Sequence, residues 1–587
     1  MSRRTGLFVF ATVLAAVTIA KLAIVTLGPD HDVDAYAHAL AGRRMLQDPG
    51  DISVHWVWLP LLHSLYAVAT KLGGGLSTLR LVNVFASTLS PVVLYAWLRH
   101  HQRAHAASVG PGLRPRRAAH GSDTQSVPSA TVPQAPGFTS PLPWLAAALL
   151  AAEPLSLRLG VTGQTEPLFQ LFLLAGGYAL ARRSFFFSGL LFAAAALTRY
   201  EAWPLLPVIA ILASIDVHRR LSSKLPPPAR SSALRASGAG AAPKSLSPFA
   251  QGAEYAHASL AWLLPLVAVA GWCLFHARAT NEPLQFLRLN REFVSGFLGG
   301  VGYSWGKQAL LPLMALQYLA LVPLWNMLGA AHLLAFPGLA RAARQLLSRP
   351  APAATPRDAV ATSSNAAATP RDAGATSRDA GASPESDPPS PARPDLPLTL
   401  LAIGLALLAI ITLGFVRGSH LGLPRHAVVL APFFCALVAA GTPAFADRLA
   451  RRFPRFAPLR SHHTVALLVL AVVLALRTVP ETLALASATR QAFSSQAAAA
   501  KALTAVARPG EPIFCDDGKI EVLSELPPDR FTRWQIPDVA PFHIQVSSKQ
   551  SGSALVVSTP ERTSHLPGGT PLWTGAGLTI LRFEYNL

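Results

Sequence analysis

The 587-residue sequence predicts an all-α polytopic membrane protein of about eleven transmembrane helices, with an interfacial helix in the first outer loop and a small C-terminal soluble α/β or β-rich domain. Three observations predict it. Hydrophobic residues make up 51% of the chain and charged residues only 14%, against roughly a quarter in soluble proteins, and the mean hydropathy is +0.36. Apolar runs long enough for a bilayer core, about 20 residues each, recur along the chain. The basic residues behind the net charge of +20 fall mostly in the loops between alternate runs. A cytosolic enzyme, a coiled coil and a wholly disordered chain are excluded as whole-chain descriptions. Cys273, Cys435 and Cys515 are scattered, so they supply neither a disulfide framework nor a paired-cysteine metal site.

The first apolar run, Leu7–Leu27, follows Arg3 and Arg4 and carries Lys21 near its outer end. It reads as an uncleaved anchor rather than a secretory signal, because the run continues past a lysine able to snorkel. Further helices are expected near Leu76–Leu98, Leu142–Leu157, Pro167–Ala181, Phe185–Leu197, Trp203–Ile215, Leu260–Phe275, Leu310–Phe336, Leu398–Phe415, Ala427–Gly441 and Val465–Val479.

Val54–Leu72 is apolar enough to span, but it contains His55, Pro60 and His63 and ends at Lys71 before three glycines. Loop charge arbitrates. If this segment lies along the interface, the basic loops 99–141, 218–256 and 340–395 share the cytoplasmic side with Arg3, Arg182 and Arg448; if it spans, the later loops invert. It is therefore read as a surface helix. The stretches His105–Ser140 and Arg349–Asp395 are rich in Pro, Ala, Ser and Thr and read as disordered linkers.

The chain divides on this reading into a membrane domain, residues 1–480, and an extracytoplasmic domain, residues 481–587. The latter opens with a helix over Thr482–Val506. Strands follow at Pro512–Phe514, Ile520–Leu523, Phe531–Ile536, His543–Val546, Ala554–Ser558 and Leu578–Phe583, each short and rich in β-branched or aromatic residues. The N-terminus is expected in the cytoplasm.

This topology collects distant polar residues at one membrane face. The first outer loop holds Asp30, Asp32 and Asp34 with Tyr36 and His38, followed by Arg43-Arg44, Pro49-Gly50-Asp51 and His55 to His63 with Trp58 between them. Carboxylates this close raise one another's pKa, which suits general-base work; a solvated acidic cap is the plainer alternative. The cluster invites a divalent cation, but its spacing matches no ligand signature, so no metal or cofactor is indicated. Glu166, Arg199, Glu201, Arg417, Arg425 and His426 fall on the same face. Single arginines at helix ends usually snorkel. Gathered beside acids, they have the make-up of a site for an anionic lipid headgroup, because guanidinium forks hold phosphate oxygens.

The order of these pieces resembles membrane-embedded glycosyltransferases of the GT-C type, in the bacterial branch related to protein mannosyltransferases and lipid A aminoarabinose transferases. The residues carrying the likeness are Asp32-Val-Asp34 with Tyr36 and His38, Arg43-Arg44, Pro49-Gly-Asp51 and Trp58-Leu-Pro-Leu-Leu-His63. Thr162-Gly-Gln-Thr-Glu-Pro167, Leu197-Thr-Arg-Tyr-Glu-Ala-Trp203 and Gly422-Leu-Pro-Arg-His426 follow in order. The likeness spans about Leu7–Gly441. It implies inverting transfer of a hexose or pentose from a polyprenyl-phosphate donor to a lipid, glycan or protein acceptor, on the outer face of a bacterial inner membrane. By that resemblance Asp32 and Asp34 hold the base, and Arg199, Arg425, His426 and Arg417 contact the donor phosphate. Tyr36, His38, Trp58, His63, Glu166 and Glu201 line the sugar and acceptor pocket. Asp-Val-Asp stands where protein mannosyltransferases carry adjacent Asp-Glu, which leaves open which of Asp30, Asp32 and Asp34 is the base.

Three other functions fit a polytopic basic chain. A transporter or flippase would place its polar groups near the bilayer midplane and often show internal repeats, and neither is visible here. A lipid-linked polymerase or ligase would lack the Asp-x-Asp loop, and a membrane anchor for the C-terminal domain would leave the clusters without work. The membrane and a lipid-phosphate donor are the expected partners, and no nucleic-acid face is required to explain the charge.

Overall fold

The computed structural model describes the chain except residues 1–2, 29, 31, 52–54, 56–57, 109–140, 225–247, 301–325, 348–395, 417–423, 516, 534–551, 564–567, 576 and 586–587. Helices dominate: α1 (Arg3–Leu27), α2 (Val33–Gln47), α3 (Pro60–Lys71), α4 (Leu76–Ser108), α5 (Leu142–Ala151), α6 (Pro154–Leu159), α7 (Glu166–Ala181), α8 (Phe185–Ala196), α9 (Leu206–Lys224), α10 (Pro248–Thr280) and α11 (Gln285–Gly300). After these come α12 (Ala335–Leu347), α13 (Leu398–Val416), α14 (Ala431–Arg452), α15 (Ala457–Ala492), α16 (Ser494–Val506) and α17 (Gly518–Ser524).

Among the described residues, six helices are long and apolar enough to cross a membrane, and four shorter apolar helices accompany them. Phe8, Ile19, Phe85, Phe187, Val267 and Leu476 stand at least 60% exposed, which in water would be costly and in lipid is not. The expected span Leu310–Phe336 lies mostly outside the described residues, so the count of eleven does not carry over. Helix α3 is twelve residues, about 18 Å long, too short for a core of about 30 Å, and it packs on α2. Several helices outrun their expected limits: α4 continues to Ser108, α9 to Lys224 and α12 to Leu347, into segments read as cytoplasmic loops.

The expected helix Thr482–Val506 is two helices. Its first part is the end of α15, which crosses the expected domain boundary at 480 without a break, and α16 begins after Phe493. The sheet that follows has order β2-β1-β3-β5-β4, with β1 (Ile513–Cys515) parallel to β2 (Phe531–Arg533) and β3 (Gly552–Ser558), and β5 (Leu578–Tyr585) antiparallel to β3 and β4 (Thr570–Gly575). Ile520–Leu523, expected as a strand, is helix α17: Asp517 caps it by accepting the Lys519 N–H at 2.9 Å, and Ile520 and Val522 are buried on it. Strand β4 was not expected, because its pattern is interrupted by Pro571 and Gly575. The expected strand His543–Val546 lies outside the described residues.

The C-terminal unit docks on the first-loop helices. Val522 joins Tyr36, Leu40, Leu62 and Tyr66 in one buried cluster, and buried Arg43 donates to the Leu526 carbonyl. Arg44 and Glu521 approach to 3.9 Å. Helix α2 thus lies between the sheet domain and the membrane helices.

Candidate active site

Four chain segments meet beyond the apolar helices, and each is anchored by backbone-directed hydrogen bonds. Asp32 caps α2 by accepting the Asp34 N–H at 3.0 Å, so Asp32 and Asp34 sit at the helix's positive end. The segment Val161–Gln164 is held by α4: Arg80 donates to the Val161 carbonyl and Asn83 to those of Thr162 and Gln164, at 2.6 to 2.8 Å. That fixes Glu166 in the first turn of α7. Arg199 stands in extended backbone between α8 and a 3-10 turn, Tyr200–Leu205, whose Trp203 donates to the Ala196 carbonyl. Arg425 and His426 open another 3-10 turn, Pro424–Leu430, tied to α7 by Gln170 donating to the Val428 carbonyl at 2.7 Å.

Asp30 belongs to this framework. It is fully buried, accepts the Gly163 N–H at 2.6 Å and the Asp32 N–H at 2.9 Å, and lies 3.9 Å from Arg80. Arg80 also donates to the carbonyls of Val25 and Gly28. Burial pushes the Asp30 carboxyl up to about 7, with Arg80 and the two N–H groups opposing. An acid so enclosed orients the backbone around it.

The charged cluster itself is continuous. Arg199 Nη1 reaches Glu166 Oε1 at 2.6 Å, its Nη2 reaches Glu201 Oε1 at 2.7 Å, and Nη2 also donates to His426 Nδ1 at 2.7 Å. Arg425 Nη2 reaches Asp34 Oδ2 at 2.5 Å, with Asp32 at 3.5 Å and Glu166 at 3.8 Å. Two guanidiniums therefore face four carboxylates. Burial opposes the charge on Arg199, but Glu201 and Glu166 outweigh it and hold the group above its ordinary range. The Asp32 carboxyl is raised, first by burial and then by Asp34 and Glu166, against the pull of Arg425. The Asp34 carboxylate is the most open of the four, 36% exposed against 20% for Asp32 and less than 10% for both glutamates.

Chemically, the arrangement offers forked donors for phosphate oxygens beside carboxylates able to take a proton. The carboxylates occupy every donor nitrogen of Arg199 but leave the buried Arg425 Nε without a hydrogen-bond partner, so an incoming anion must displace carboxylates to take either fork.

The other expected site residues divide into two groups. His38 and His63 are buried and hydrogen-bonded to each other, with Trp58 against the His38 ring at 4.6 Å between centroids. Tyr36 does not face the cluster: its hydroxyl donates to the Asp30 carbonyl and its ring packs edge-on to Phe493. Arg417 lies outside the described residues. The sequence reading overlooked Arg80, Asn83 and Gln170, whose position inside apolar helices was the available signal, since a buried polar side chain needs partners. Among the described residues, no group of three or more His, Cys, Asp or Glu is arranged to hold a metal ion.

No protein-family profile matches the sequence, and neither does any curated protein. Two solved structures are similar to the chain over nearly its whole length: the crystal structures of ArnT from Cupriavidus metallidurans, one bound to undecaprenyl phosphate and one in the apo state. Each is 14% identical, with a TM-score of 0.49, over 99% of this chain and 98% of the other.

Proposed function

We propose that the protein is an integral membrane glycosyltransferase that moves a sugar from a polyprenyl-phosphate-linked donor to an acceptor hydroxyl at the outer face of the bacterial inner membrane. The observation that carries this reading is the joining of Arg199 and Arg425 to Asp32, Asp34, Glu166 and Glu201 from four separate segments. A snorkelling arginine would point to water, whereas these turn inward onto carboxylates at the ends of membrane helices.

In the reaction, the donor phosphate takes the forks of Arg199 and Arg425. Asp34, released from Arg425, accepts the acceptor's hydroxyl proton. The acceptor oxygen forms a bond to the anomeric carbon as the carbon–phosphate-oxygen bond breaks; the bonding pair leaves on the phosphate oxygen, where the guanidiniums stabilise it. Attack from the opposite side inverts the anomeric centre. Asp32, with one oxygen committed to capping α2, holds Arg425 and is not the base. In this reading the N-terminus is cytoplasmic, and the first loop and the docked C-terminal domain are extracytoplasmic.

The test uses membranes containing the full chain, polyprenyl phosphate charged with radiolabelled hexose or pentose, and total membrane lipid, glycan and protein as acceptors. Label should leave the donor in wild-type membranes and stay on it in Arg199→Ala/Arg425→Ala membranes. Equal transfer by both would end the proposal.

A further inference from the structure

Three histidines lie in a buried line beside the charged cluster. His38, on α2, brings its Nδ1 to 2.9 Å from His63 Nε2, and His63, on α3, brings its Nδ1 to 2.8 Å from His55 Nδ1. All three rings are at most 2% exposed. His63 therefore spends both ring nitrogens on other imidazoles. A neutral imidazole has one N–H and one lone pair, so a bonded row of three must point its N–H groups all one way or all the other. The two arrangements differ by the passage of one proton from end to end.

The two ends differ in surroundings. His38 is four residues after Asp34 on α2, hence on the same helix face, and it feels the charges of Asp34, Glu166, Arg425 and Arg199. His55 feels His276 on α10 and exposed Asp51. Trp58 covers His38 and Trp272 stands edge-on to His55, which keeps bulk water from the middle of the row. Burial lowers His38 and His55 to about 4 and His63 well below its ordinary value, so the row is neutral at physiological pH and fit to hand a proton on without storing charge.

We propose that His38, His63 and His55 form a proton relay leading from Asp34 to the outer surface near Asp51. This rests on the transferase reading above. The acceptor's proton, taken by Asp34, passes to His38 Nε2. His38 gives its Nδ1 proton to His63 Nε2, His63 gives its Nδ1 proton to His55 Nδ1, and His55 releases its Nε2 proton to water. One proton enters and one leaves, no ring retains a charge, and ring reorientation restores the starting tautomers. The relay gives the site a proton exit once a lipid donor and an acceptor cover the carboxylates.

The experiment compares wild-type, His63→Ala and His63→Gln protein in the labelled transfer assay, with and without added imidazole, after matching melting temperature and elution volume. Gln fills the space and hydrogen-bonds at both ends but does not pass a proton. A relay requires a fall of at least about tenfold in both variants and recovery of His63→Ala, but not His63→Gln, by imidazole, with recovery that varies with the pKa of substituted imidazoles. Wild-type rates in His63→Gln would overturn the relay and leave the transferase reading intact, as would a folded His63→Ala that imidazole does not restore. Absence of transfer by the wild-type protein would instead remove the transferase reading itself.

Discussion

Arg425 and Asp34 lie 391 positions apart in the chain and meet at 2.5 Å, Nη2 to Oδ2. The pair joins a guanidinium shared among three carboxylates to the most open carboxylate of the cluster. While it is closed, each group is occupied by the other, so in the proposed reaction donor binding and release of the base become one event.

That competition makes the fork of Arg425 more important than its charge. Arg425→Lys should raise the donor KM by about tenfold or more, because a single ammonium cannot hold Asp34 and then a phosphate in two-point fashion. Initial rates at varied donor concentration read this directly, and an unchanged KM would place the phosphate elsewhere.

The two first-loop aspartates should separate cleanly on mutation to Asn. Asp34→Asn is expected to lower kcat by about 10²- to 10⁴-fold, the usual weight of a positioned base. Asp32→Asn should cost much less, since Asn caps a helix as well as Asp does and the fold is undisturbed. If Asp32→Asn proves the more damaging at equal melting temperature, the base assignment must be exchanged.

Arg199 is a structural centre of the cluster as well as a proposed phosphate ligand. With its side chain 11% exposed between Glu166 and Glu201, Arg199→Met removes the nearest cation from two buried carboxylates and should cost about 3–5 kcal/mol. Adding Glu166→Gln and Glu201→Gln should recover most of the melting temperature in detergent while transfer stays absent. Recovery of transfer along with stability would show that Arg199 serves the fold alone.

The histidine row carries an acid penalty. His38 and His55 have folded-state values of about 4 against 6.5 for ordinary histidine, so the unfolded chain takes up their protons first as pH falls. Their contribution to stability is complete above about pH 6.5 and is lost as pH falls through about 4. The melting temperature should drop across that window, and His55→Phe should flatten the drop by on the order of 5 °C. An identical pH profile in that variant would contradict the burial of the row.

Docking of the C-terminal domain should matter at a distance. Val522→Asp puts an unpaired carboxylate in the cluster formed with Tyr36, Leu40 and Tyr66, and should free α2 from the sheet domain. Limited proteolysis near Ala507–Pro512 should accelerate, and transfer should fall by about tenfold with helical content unchanged. Wild-type transfer by a protease-sensitive variant would mean that the domain does not position α2.

Much of this molecule is legible along the chain. The apolar runs identify the helices because length and hydropathy are local quantities, and the acids and arginines at run ends identify which segments carry the polar cluster. The misreadings have local causes too. Ile520–Leu523 has strand composition, yet Asp517 and Gly518 set a capped helix start that overrides it. Val54–Leu72 could be settled only in part, since its length and Pro60 bear on α3 but say nothing of what α3 packs against.

By itself, then, the sequence determined the membrane class, the positions of most helices and the residue types available at their ends, all of which follow from burial of consecutive side chains. Tertiary structure alone decided that Asp30 is locked against Arg80 and Gly163 while Asp34 stays open, that Arg199 divides itself between Glu166 and Glu201, and that three histidines from two helices and a loop align. The pairings of the cluster, Arg425 with Asp34 among them, join segments up to 391 positions apart. They depend on how α2, α4, α7 and the turn at Pro424–Leu430 pack, and packing between distant segments leaves no periodic signature in the chain.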